Sequence, residues 1–120
     1  MEIYVDYLNT CVMGKPRNRK DVPKCIEVLN EITENGHDLL FIGLNSHFLH
    51  SEAWDWVLER ELGIGMGTLG YEGSIIKIDD EGIGCPLIQP SPNDLIYTEP
   101  YVDWDGVRDI LVDKGIIINK

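Results

Sequence analysis

The chain has 120 residues, 43% of them hydrophobic, and sets 10 Lys and Arg against 21 Asp and Glu for a formal net charge of −11. That length suits a single domain, 1–120, with enough interior to fold without disulfides. No apolar run approaches the roughly 20 residues of a membrane span, and so acidic a surface repels a phosphate backbone, which disfavours general nucleic-acid binding and favours a basic protein partner.

Residues 2–8 (EIYVDYL) are β-branched and aromatic and predict a buried strand. The N-terminus MEIYVDYLNT, acidic at position 2 and without a basic stretch, does not read as a signal peptide. A polar loop follows at 14–20, where Lys15, Arg17, Arg19 and Lys20 form either a solvated loop or a small basic patch beside an anion site. Asp21 is placed to cap a helix with Pro23 near its start, and Val22, Ile26, Leu29 and Ile32 recur at helical spacing before Gly36 ends it. The run DLLFIGL (38–44) suits a fully buried strand. Ser51 and Glu52 open a second helix through Leu62, with Trp54, Val57, Leu58 and Leu62 inward. Because Trp54 and Trp56 are two apart, one of them must face outward or lie at an interface.

Glycines at 63, 65 and 67 punctuate loops, with a short strand possible near 66–69. The spacing of the glycines from 63 to 73 does not match a dinucleotide fingerprint. Residues 74–79 (SIIKID) predict a further strand. A long loop bearing Pro86, Pro90, Pro92 and Pro100 then runs to Val102. Asp103 caps a last helix from about 104 to 114, with Val107, Ile110 and Leu111 inward. Gly115 ends it, and IIIN follows as a strand or packed tail. The cysteines at 11, 25 and 85 are scattered and odd in number, which points to reduced thiols and a cytoplasmic setting.

Strands alternating with helices predict an α/β fold: a three-layer, Rossmann-like sandwich with a mainly parallel sheet flanked by helices. Such sheets bind ligands beyond the carboxyl ends of their strands. Asp6 sits near the end of the first strand and Asp79 with Asp80 ends the fourth, so adjacency would bring three carboxylates to one edge. Clustered carboxylates need a proton or a cation, and an all-oxygen set suits Mg²⁺. Each acid alone could equally cap a helix or face solvent. His47 and His50, three apart, lack an evident third ligand and read as surface or capping residues.

These segments resemble the haloacid dehalogenase-like (HAD-like) phosphohydrolases, in particular their small capless members from bacteria and phages. IYVDYLNT is similar to the family's first signature, with Asp6 on the nucleophile and Thr10 on the terminal Thr. VPKCIEVLNEITENGHDLLFIGLNS resembles the following helix and second strand, and SEAWDWVLERELGI the next helix. IIKIDDEGIGCPLI resembles the fourth signature, with Asp79 and Asp80 on the magnesium-binding acids, and YVDWDGVRDIL the closing helix. The resemblance implies an aspartyl-phosphate chemistry on a phosphorylated small molecule or phosphoprotein. Mg²⁺ would be held by Asp6, Asp79 and Asp80, and Thr10 would hold phosphate or backbone.

The chain departs from the family at three places. Leu8 stands where the family has its general acid and base. Gly43 stands at the second-signature Ser or Thr, with Asn45 or Ser46 a few residues on. No lysine lies between Gly43 and Lys77, and Lys77 itself sits inside the strand on the face of Asp79. Loss of the acid costs about 10²–10⁴-fold, and each lost phosphate holder about 10²–10³-fold. Two functions remain open: a weak Mg²⁺-dependent phosphohydrolase or phosphotransferase, and a pseudoenzyme that binds a protein, for instance as a phage or mobile-element effector.

Overall fold

Strand β1 (Glu2–Asp6) sends Ile3 and Val5 to one face of a sheet, where both are fully buried. The structure is a computed structural model that describes residues 2–15, 18–66, 76–78, 85–93 and 99–118. The strand ends two residues earlier than 2–8 predicts. At Tyr7 the backbone turns, and the Tyr7 carbonyl accepts from Cys11 N at 2.9 Å and Val12 N at 3.2 Å. Asn9 sits inside this turn at φ 57, a left-handed conformation that Asn tolerates better than most side chains. Strands β2 (Val12–Met13) and β3 (Lys20–Asp21) then pair antiparallel, so the expected polar loop is flanked by two paired strands and Lys20 belongs to the second of them.

Asp21 lies in β3 and caps no helix. Its carboxylate accepts from Trp56 Nε1 at 2.8 Å and from Arg60 at 2.9 and 3.0 Å. Charge-assisted bonds of this kind outcompete the single N–H that a cap would offer. Helix α1 (Cys25–Glu34) instead enters from Lys24 at φ 69 without a side-chain cap. Cys25, Val28, Leu29 and Ile32 form its buried stripe. Gly36, at φ +84, closes the helix as expected, with Gly36 N on Thr33 O and His37 N on Ile32 O.

Strand β4 (Asp38–Ile42) pairs parallel with β1 along its whole length, Glu2 with Asp38 through Asp6 with Ile42. Helix α2 (His47–Glu59) begins a turn earlier than Ser51, because the Ser46 hydroxyl accepts from Leu49 N at 3.1 Å and caps it. Its inward residues are Ala53, Trp56 and Val57. Trp54 and Leu58, expected inside, are 45% and 58% exposed. The expectation that one tryptophan faces outward holds, and it is Trp54. Trp56 is the inner one because Asp21 takes its indole N–H, Arg60 lies 4.9 Å over its ring, and Tyr7 and Phe41 meet it at 6.0 and 6.2 Å.

Strand β5 (Ile64–Met66) pairs parallel with β4, and β6 (Ile76–Ile78) pairs parallel with β1. The sheet order is therefore β5-β4-β1-β6. The predicted strand at 66–69 lies two residues late, and most of it is outside the described residues. Within the proline-bearing segment, β7 (Leu87–Ile88) and β8 (Tyr101–Val102) pair antiparallel, which shortens the expected loop. Helix α3 (Trp104–Asp113) is capped by Asp103, which accepts from Gly106 N, and it buries Trp104, Val107 and Leu111. Ile116 and Ile117 follow as a packed tail.

Among the described residues the chain is thus a mixed α/β fold with a sheet of four parallel strands and three helices. One continuous apolar cluster joins Ile3, Val5, Leu39, Phe41, Ile64 and Ile78, all on one sheet face, to the inward stripes of the helices. Tyr4, on the opposite face, is only 5% exposed yet stands outside that cluster.

Candidate functional site at the carboxyl edge of the sheet

The strand order runs one way from β1 through β4 to β5 and the other way from β1 to β6. Such a reversal leaves a crevice beyond the carboxyl ends of the two diverging strands, where ligands of parallel sheets bind. Asp6 is the last residue of β1, at the carboxyl edge beside that reversal. It is half-buried, and its Oδ1 accepts from Tyr7 N at 2.8 Å.

Two further residues are brought to Asp6 by the sheet register. Gly43 follows β4 directly, at φ +75. A Cβ at this position would stand 2.8 Å from Asp6 Oδ1, so the bare backbone after β4 is what lets the carboxylate sit there. Lys77 pairs in register with Tyr4, and strand alternation places Tyr4, Asp6 and Lys77 on the same sheet face. Its side chain is exposed, on the diagonal from Asp6 across the β1–β6 pair. Asp79 and Asp80 follow Ile78, the register partner of Val5, but both lie outside the described residues.

Thr10 is fully buried. Its carbonyl accepts from Trp104 Nε1 at 2.6 Å, and its hydroxyl has no hydrogen-bond partner among the described residues. Leu8 is half-buried and packs against the apolar core. Asn45 is exposed, and the Ser46 oxygen is engaged in capping α2.

The basic residues of the hairpin do not gather into an anion site among the described residues. Arg19 turns inward, bonding Gly14 O and pairing with Glu52 at 3.2 Å, while Lys15 and Lys20 are exposed. Arg17 lies outside the described residues. Arg19 and Glu52 border a cleft of about 360 Å³ between the hairpin and α2, whose lining includes Tyr7, Asp55, Trp56 and Arg60. Burial, and then a hydrogen bond to Glu52, pushes the Tyr7 phenol well above its ordinary range, so it stays neutral and serves as a donor. His47 and His50 are exposed, and among the described residues no three His, Cys, Asp or Glu come together as a metal group.

Sequence reasoning located Asp6 but missed the proximity of Gly43 and the hairpin that follows β1. A glycine immediately after an uninterrupted apolar strand was the available signal for the first. The hairpin strands, two residues each, carry no periodicity to read. Comparison with protein-family models, with curated proteins and with solved structures found no match.

Proposed function

We propose that the chain is a single HAD-like domain, a three-layer Rossmann-like sandwich of the cytoplasm, that performs weak phosphoryl transfer from Asp6. The observation that carries this reading is the setting of Asp6. A carboxylate ends the central strand beside the order reversal, against the bare backbone of Gly43, with Lys77 on its face. The donor set fits a hard divalent cation: a half-buried carboxylate, with Asp79 and Asp80 one and two residues beyond the strand that flanks it. Asp6, Asp79 and Asp80 would hold Mg²⁺, which when bound neutralises charge between carboxylate and phosphate.

Tyr7 N–H donates to Oδ1 of Asp6 and orients the carboxylate, which supports attack through Oδ2. Oδ2 forms the new bond to phosphorus as the ester oxygen departs in line with its electron pair, leaving an aspartyl phosphate. Water then attacks that phosphorus and returns the Asp6 carboxylate and orthophosphate. Lys77 holds the transferring oxygens by charge. Leu8 supplies no proton, so substrates are restricted to leaving groups stable as anions, on a phosphorylated small molecule or a phosphoprotein.

The test is hydrolysis of an activated aryl phosphate with and without Mg²⁺. Wild type should exceed Asp6→Asn by at least about 10²-fold, and only with the metal present. Equal rates for the two proteins would sink the catalytic reading. A second reading, a pseudoenzyme that binds a basic protein partner, is favoured by Leu8, which packs as a core residue, and by the outward-facing Trp54.

A further inference from the structure

Helix α2 is apolar on two sides. Ala53, Trp56 and Val57 face the core, while Phe48, Trp54 and Leu58 are 54%, 45% and 58% exposed. Trp54 and Leu58 are four apart, one above the other on a single face. Exposed single apolar residues are ordinary, but three on one helix, including a large aromatic, form the anchor type that dominates binding energy at interfaces. Beside this row run Glu52, Asp55 and Glu59, which line the cleft of about 360 Å³ at its α2 wall, with exposed Glu61 just past the helix. Asp55 makes no hydrogen bond or ion pair among the described residues. The nearby cation, Arg60, is already shared between Asp21 at 2.9 Å and Glu59 at 3.4 Å and lies over Trp56, so it does not answer Asp55. From Cys25 to Ile76 the chain has no lysine and no other arginine.

We infer that the outer face of α2 docks a basic amphipathic helix of another protein. Apolar side chains of that helix cover Trp54 and Leu58, and a lysine or arginine on its flank enters the cleft to meet Asp55 and Glu59. This is helix-on-helix recognition with complementary charge. A second copy of this chain does not suit the face, because pairing α2 with α2 sets acids against acids with no lysine or arginine within either helix to answer them. The inference locates the partner of the pseudoenzyme reading and is independent of turnover at Asp6.

The probe is a fluorescein-labelled synthetic helix with leucines on one face and arginines and lysines on its flanks, titrated with the full chain and followed by anisotropy. A matched peptide with glutamates in place of the basic residues is the comparison. The basic peptide should bind at least about tenfold more tightly than the acidic one. Trp54→Ser and Leu58→Ser, both at exposed positions, should each weaken binding at least about fivefold with circular dichroism unchanged. Asp55→Lys should weaken it and flatten its salt dependence. Asp6→Asn should leave it unchanged, which separates this face from the phosphoryl site. Equal binding of the two peptides, no binding up to about 100 μM, or affinity undiminished by Trp54→Ser would each overturn the inference. So would sedimentation showing a dimer that Trp54→Ser dissociates, since the occupant would then be a second copy.

Discussion

If Asp6 transfers phosphoryl groups as proposed, Gly43 and Leu8 are the two positions at which reversal toward an active site is simplest to test, and they do not respond alike. Threonine at 43 would need φ near +75, which a β-branched side chain resists, and would place its Cβ 2.8 Å from Asp6 Oδ1. That oxygen is tied to Tyr7 N–H and cannot simply swing away. Gly43→Thr is therefore expected to cost about 1–3 kcal/mol of stability and to restore no activity, as read by denaturant unfolding and aryl phosphate turnover. Leu8→Asp alone is the productive reversal. It should raise hydrolysis of an unactivated alkyl phosphate by about 10²-fold while changing the aryl phosphate rate little, because only the alkoxide needs a proton. An equal gain on both substrates would argue against an acid role for position 8.

At the scale of elements, α1 and α3 are tied by Glu31 and Arg108, whose atoms approach to 2.8 and 3.0 Å. The Arg108 hydrogen bond holds the Glu31 carboxyl below its ordinary range. A carboxyl depressed in the folded state stabilises above its unfolded pKa, and that stabilisation is lost as pH falls through the folded value. The thermal midpoint of Arg108→Ala should thus lie below that of wild type at neutral pH. The gap should close as the solution is taken through and below the usual glutamate range. A gap that persists unchanged at acid pH would show that Arg108 acts through its packing against α1 instead. The pair is partly exposed, so the gap is expected to be small and to shrink with salt as well.

For the whole molecule the dominant electrostatic fact is the net charge of −11 on 120 residues. Self-repulsion of that size opposes compaction, and ions screen it over a Debye length of about 10 Å at 0.1 M. Moving from low salt to physiological salt should raise the thermal midpoint by about 2–5 °C, as read by circular dichroism. An unchanged or falling midpoint would mean that the local ion pairs of Arg19, Arg60 and Arg108 outweigh the net charge. The same acidity bears on association: a basic helix approaching α2 is attracted from a distance, whereas a second copy of the chain is repelled.

Much of the architecture was legible in the residues because it is decided locally. Gly36 after a helical stripe, Asp103 before another, the β-branched residues of β1 and the apolar run of β4 depend on backbone preferences and on side-chain period within a few residues. For the same reason Asp6 could be placed at a strand end, and one of Trp54 and Trp56 could be said to face out. Which tryptophan it is was misread, with Trp54 placed inward, since α2 is apolar on both sides and its period alone allows either stripe. That choice rests on Asp21, 35 residues away, taking the Trp56 indole N–H. The same contact is why Asp21, a good cap by composition, caps nothing. The company Asp6 keeps is likewise a matter of tertiary structure. Gly43 and Lys77 reach it only because β4 and β6 flank β1 in a particular register. Strand order and register are pairings between distant segments, chosen by burial of a whole sheet face rather than by any single residue's preference.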